Sequence, residues 1–145
     1  MFAVFQSRTM WWFRKEKPKE AWDEEIRGPI GDIEAAQKIR EICRSAADSA
    51  ERLGRPAGLA DGKQNRPNHK QGESDSERYQ RAARAAMEIA MKISDDLMRD
   101  AAVREIVDLC IKANDMRTAP ILFRAIHAAS IREAMLNDHP VLRQQ

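Results

Sequence analysis

The chain segregates its large rings. Of the eight aromatic residues among 145, six fall in the first 22 positions: Phe2, Phe5, Trp11, Trp12, Phe13 and Trp22. The remaining 123 residues carry only Tyr79 and Phe123. A core built there has to consist of small and aliphatic side chains, and 22 alanines make up about a third of the apolar inventory. Alanine is the best helix former and is depleted in strands, so this composition points to closely packed helices and away from a sheet. The expected fold is all-α, a short antiparallel helical bundle with a flexible N-terminal arm and linker.

Periodicity places the helices. Ile33, Ala36, Ile39, Cys43, Ala46 or Ala47, Ala50 and Leu53 recur at three- and four-residue intervals, which predicts an amphipathic helix over 31–53. Asp32 is its expected N-cap, and Gly54 followed by Arg55 and Pro56 its stop signal. Residues 54–76 hold four of the six glycines and almost no apolar side chains, so they are expected to form a mobile or disordered linker. Ser74-Asp75-Ser76-Glu77 then reads as a capping box opening a helix to about Ile93, with Ala82, Ala86, Ile89, Ala90 and Ile93 on one face. Ser94 is the expected N-cap of a second helix that runs to Ala113, and Asn114 its left-handed terminator. A third helix is expected from Thr118, with Pro120 in its first turn, to about Asp138. The organisation is thus an aromatic and basic arm (1–30), a lone helix (31–53), a linker (54–76) and a three-helix domain (77–145).

The C-terminal half matches itself at an offset of 33 residues. Ala86 meets Ala119, Ile89 meets Leu122, Ile93 meets Ile126, Met98 meets Ile131, Arg99 meets Arg132 and Ala101 meets Ala134. A period of 33–34 residues is the signature of stacked helical hairpins. The run Arg99-Asp100-Ala101-Ala102-Val103, Ile106, Ala113-Asn114-Asp115 and Ala119 resembles degenerate bacterial tetratricopeptide-type (TPR-like) repeats, over roughly residues 78–137. That resemblance implies protein–protein binding through a helical groove, in a bacterial protein. A plain three-helix bundle whose alanines imitate a repeat is the competing reading. In either case some 60 residues bury too little surface to stand alone, and solenoids normally need about three repeats. The missing layer has to come from the 31–53 helix, from a second copy of the chain or from another partner.

Motifs of catalysis are absent from the sequence. His69, His127 and His139 have no metal-ligand spacing, no Gly-rich phosphate loop precedes a helix, and no serine sits in a nucleophile elbow. Asp95, Asp96 and Asp100 read as a solvated helix start favoured by the helix dipole, and Arg99 and Arg132 as surface ion-pair partners. Cys43 and Cys110 occupy apolar helical positions and read as small buried hydrophobes of a reducing compartment. The expectation is therefore no enzyme, no cofactor and no metal site. A net charge of +2 argues against a general nucleic-acid binder, although Arg78, Arg81 and Arg84 give one helix a weak basic row.

No apolar run reaches the roughly 18 residues of a membrane span, and Arg8 interrupts the start, so a cytoplasmic location is expected. Met10 offers a second initiator, which would make residues 1–9 an upstream extension. Three readings of the N-terminal rings stay open. They fill an alanine-lined groove of the chain's own helices, they form a binding hot spot, or, beside Arg14, Lys15, Lys17 and Lys19, they anchor the chain at a membrane surface. The function expected is non-catalytic: an interaction, scaffold or accessory protein that binds another protein or a second copy. Its groove would be lined with alanine and methionine and would use Trp11, Trp12, Phe13, Trp22, Met87, Met91 and Phe123. A peripheral membrane subunit is the alternative and a nucleic-acid-binding regulator a remote one.

Overall fold

A computed structural model describes residues 20–23, 28–55 and 74–144. Five α-helices and no strand occur among the described residues: α1 (Asp32–Gly54), α2 (Asp75–Ala90), α3 (Asp96–Lys112), α4 (Thr118–Arg124) and α5 (Ala129–Asp138). Short 3-10 turns at Ala21–Asp23 and Pro140–Gln144 flank them. The fold is all-α as the composition requires. The linker expectation falls on residues 56–73, which lie outside the described residues; Gly54 and Asp75 already belong to helices.

The lone helix supplies the missing layer. Arg52 near the end of α1 makes two hydrogen bonds to Asp75 at the start of α2, at 2.8 and 2.9 Å. Asp32 at the start of α1 accepts the backbone N–H groups of Ser94 and Asp95, at 2.9 and 3.0 Å. Hence α1 runs antiparallel to α2 and parallel to α3, packing on both. Its buried face is Ala35, Ile39, Ile42, Cys43, Ala46, Ser49 and Ala50, a row rotated from the expected one, and Ile33 stands 67% exposed. Ala82, Ala86 and Ala90 on α2 are fully buried too. Small side chains at such contacts let helix axes approach closely.

Among the described residues, one N-terminal ring enters this layer. Trp22 lies buried against α1 and α2, with the Arg78 guanidinium 5.0 Å from its ring centre. Arg78 also donates to Ser49 Oγ at 3.0 Å and pairs with Glu20, and Arg81 pairs with Asp23.

Capping explains the remaining boundaries. Ser74 and Glu77 form the reciprocal capping box of α2, but the helix ends at Ala90 and not at Ile93. Asp95, not Ser94, caps α3 by accepting the Met98 N–H, and Gly31, not Asp32, precedes α1 at the N-cap. Asp32 is spent on the neighbouring loop instead. Asn114 terminates α3 with φ 59°, as expected, and the N–H groups of Asn114 and Asp115 close onto Ile111 and Cys110. Helix α3 is central and meets all four other helices, so it is buried on several sides.

One expected helix is two. The 118–138 segment breaks at residues 125–128 because both sides of the break are held from elsewhere. Arg132 donates to the Phe123 and Ile126 carbonyls, at 3.2 and 3.1 Å. Asp100, only 5% exposed, accepts the N–H groups of His127 and Ala128, at 3.0 and 2.9 Å. The solvated role expected for Asp100 is thereby corrected. A 33-residue offset carries the start of α3 onto the start of α5, and Arg99 donates to Ile93 as Arg132 donates to Ile126. His139, just past α5, meets Asp108 of α3 at 2.8 Å, so α5 also runs parallel to α3. The turn Pro140–Gln144 then folds Leu142 back into the core.

Candidate interaction surfaces

With the core closed by α1, Trp22 and Leu142, the informative residues are those left outside. Where α1 begins beside the α2–α3 loop, an open groove of about 930 Å³ is lined by Ile30, Ile33 and Met98 together with Asp32, Glu34 and Asp95. Its lining contains three carboxylates and no cation. Met91 (70% exposed) and Leu97 (58% exposed) flank the same loop. Local sequence explains the exposure: Ile33 and Leu97 lie in first turns, and Met91 is the residue at which α2 stops.

A second cleft, about 410 Å³, opens between α4, α5 and the C-terminal turn. Pro120, Phe123, Leu136 and Leu142 form its apolar part, and Arg124, Arg132 and Arg143 its polar part, with no acid in the lining. The Arg132 guanidinium stacks 4.5 Å from the Phe123 ring centre while holding the two backbone carbonyls. Arg143 reaches Asn137 at 3.5 Å.

A third depression between α1 and α3 combines Arg40, Arg44 and Lys112 with Glu105 and Asp108 over Cys43. Burial pushes the Cys43 thiol up to about 12 and the Cys110 thiol to about 11. Both stay protonated at neutral pH and are poor nucleophiles. Tyr79 donates to Asp115 at 2.6 Å, and burial drives its hydroxyl upward, so this pair serves as a buried strut. Among the described residues no group of three His, Cys, Asp or Glu is placed to hold a metal ion, and no helix is long and apolar enough to cross a membrane.

The residues expected to bind a partner are dispersed. Trp11, Trp12 and Phe13 lie outside the described residues. Trp22 and Phe123 are buried in the chain's own core, which removes them from any outward-facing set; Phe123 shows only at the floor of the arginine cleft. Met87 is half-buried on α2, and Met91 alone is well exposed. The alanine row of α2, Ala82, Ala86 and Ala90, is fully buried, with α1 packed on α2. Arg78 and Arg81 of the basic row are tied to Glu20 and Asp23.

Sequence reasoning missed both clefts. The arginines are eight and eleven positions apart, so they form no charge run, and only the turn at Pro140 brings Arg143 to the others. The break that creates the arginine cleft was nonetheless encoded, because shifting the 91–95 loop by 33 residues lands on 124–128. No protein-family model, curated protein or solved structure matches the chain.

Proposed function

We propose that this chain is a non-catalytic protein–protein interaction module, a scaffold or accessory subunit that binds through apolar side chains at one end of the bundle. The observation that carries this is the exposure of Ile33, Met91 and Leu97 around a single loop, in a chain that completes its core by itself. Apolar side chains that cluster outside a finished core mark contact sites more often than isolated ones do. The 33-residue register and its resemblance to TPR-like repeats, which serve as protein-binding units, support the same reading. Acids around the groove would orient a partner and the apolar side chains would supply the binding energy.

Affinity purification of the full chain from its native cell tests the proposal, with partners identified by mass spectrometry. The double variant Ile33→Ser/Leu97→Ser should fold and lose its specific partner. Removal of residues 1–19, which spares Trp22, should leave that partner bound. Retention by the double variant, or loss on removal of residues 1–19 alone, would reject this surface as the binding site.

A further inference from the structure

All five large apolar side chains that stand exposed among the described residues belong to two regions of opposite charge. Ile33 lines the groove that presents Asp32, Glu34 and Asp95, and Met91 and Leu97 flank the adjoining α2–α3 loop. Ile121 and Val141 sit on the elements that form the cleft of Arg124, Arg132 and Arg143. Cations near the acidic end are engaged locally: Lys92 reaches the Gly28 carbonyl at 3.4 Å, and Arg99 holds Asp96 and the Ile93 carbonyl. The carboxylates of Asp32 and Asp95 accept backbone N–H groups, and Glu34 is exposed. The chain therefore carries one acidic, apolar surface and one basic, apolar surface of comparable make-up.

We propose that these two surfaces bind each other between copies, so that the acidic groove of one chain receives the arginine cleft of the next. This rests on the reading of the chain as an interaction module and names the partner as a second copy. The two surfaces differ, so the contact is heterologous: head to tail and not two-fold. They also lie on different helices, because α1 and the α4–α5 pair pack separately on α3, and one copy can use both at once. Small contacts of this kind sit at the weak end of specific interfaces, and their charged component is screened by salt. Association should accordingly be concentration-dependent and salt-sensitive.

Sedimentation velocity of the full chain, from about 5 to 500 μM at low and at roughly 0.5 M salt, reads this directly. The average mass should rise with concentration at low salt and fall back at high salt. Two variants then identify the surfaces. Ile33→Ser/Glu34→Arg removes the acidic one, and Arg124→Glu/Arg143→Glu removes the basic one while leaving Arg132 on its carbonyls. Each alone should weaken association at least about tenfold, and an equimolar mixture should give a heterodimer and nothing larger, because each variant keeps one intact surface. Circular dichroism melts establish that both variants fold, and the salt response of the unaltered chain tests the charge argument if either does not. A monomer at every concentration overturns the proposal, as does association unchanged in either variant or a mixture that stays monomeric. If the chain is monomeric but Ile33→Ser/Leu97→Ser still strips a different protein in the affinity purification, self-association falls and the interaction-module reading stands.

Discussion

Replacing Gly54 with alanine sets two effects of opposite sign against each other. Gly54 is the last residue of α1, where alanine would ordinarily stabilise a helix by roughly 0.5–1 kcal/mol. A Cβ at this position, however, would sit 2.1 Å from the Lys112 carbonyl oxygen and 3.2 Å from the Lys112 carbonyl carbon. The obstacle is backbone at the end of α3, so no side chain can swing away. Restoring an ordinary contact requires the two helix ends to separate by about 1 Å, and overpacking of that kind costs about 1–3 kcal/mol, occasionally more. The close approach should win, with a net loss of about 1–2 kcal/mol and a melting temperature lower by roughly 5–15 °C for an ordered unit of this size. Urea denaturation followed by circular dichroism measures it. Gly31→Ala is the control, since nothing lies within 4 Å of a Cβ there and the expected loss is that of a weaker N-cap alone, roughly 0.5–1 kcal/mol. A Gly54→Ala chain as stable as the original would refute the close approach of α1 to α3.

Further perturbations separate packing from polar effects. Trp22→Ala should cost about 3–5 kcal/mol, whereas Trp22→Phe should stay within about 1.5 kcal/mol because the buried indole N–H has no hydrogen-bond partner among the described residues; equal losses in denaturant titrations would point to a role for the N–H. Asp100→Ala should cost about 2–4 kcal/mol by stranding the His127 and Ala128 N–H groups, with Asp100→Asn milder; a surface-like change below about 0.5 kcal/mol would contradict its bridging role. Acid should weaken the fold through two carboxyls. Arg52 holds Asp75 below its ordinary range. For Asp115, burial acts to raise the carboxyl, but the Tyr79 hydroxyl and the Thr118 and Arg117 N–H groups outweigh it and hold it low. A depressed folded pKa means this stability is present above about pH 4 and lost as pH falls further, so Asp75→Asn and Asp115→Asn should each flatten the acid limb of a stability profile. An unchanged slope in both variants would count against these contacts.

Helix positions were legible because local signals decided them: the Ser74–Glu77 box, Pro120 in a first turn and Asn114 at a left-handed stop all act within a few residues. The facing of α1 was not. Periodicity alone admits rows one position apart, and burying Ala35 and Ile42 while leaving Ile33 outside depends on where α2 ends beneath it. Asp100 shows the same limit, since a carboxylate near a helix start is ordinarily solvated and only the loop of another hairpin buries this one. The rings pointed to the chain's own helices for Trp22, where an alanine-rich layer leaves room for one large side chain. Neither cleft could be seen in advance, because each is assembled from segments that meet only after α1 and the C-terminal turn have docked.

The pairing of Arg52 with Asp75 gives α1 an unusual standing in this molecule. Residues 56–73 have only to join two points that the folded chain already holds side by side. Helices α2 and α3, and α3 and α4, meet as neighbours in sequence, while α1 packs on α2 and α3 from the far side of residues 56–73. The longest helix therefore stands to the rest of the bundle as a ligand stands to its receptor, through contacts that a break in the chain between α1 and α2 would leave in place. Cleaving the chain between α1 and α2 would convert an internal contact into a bimolecular one, and the affinity of α1 for its own fold would become a measurable dissociation constant.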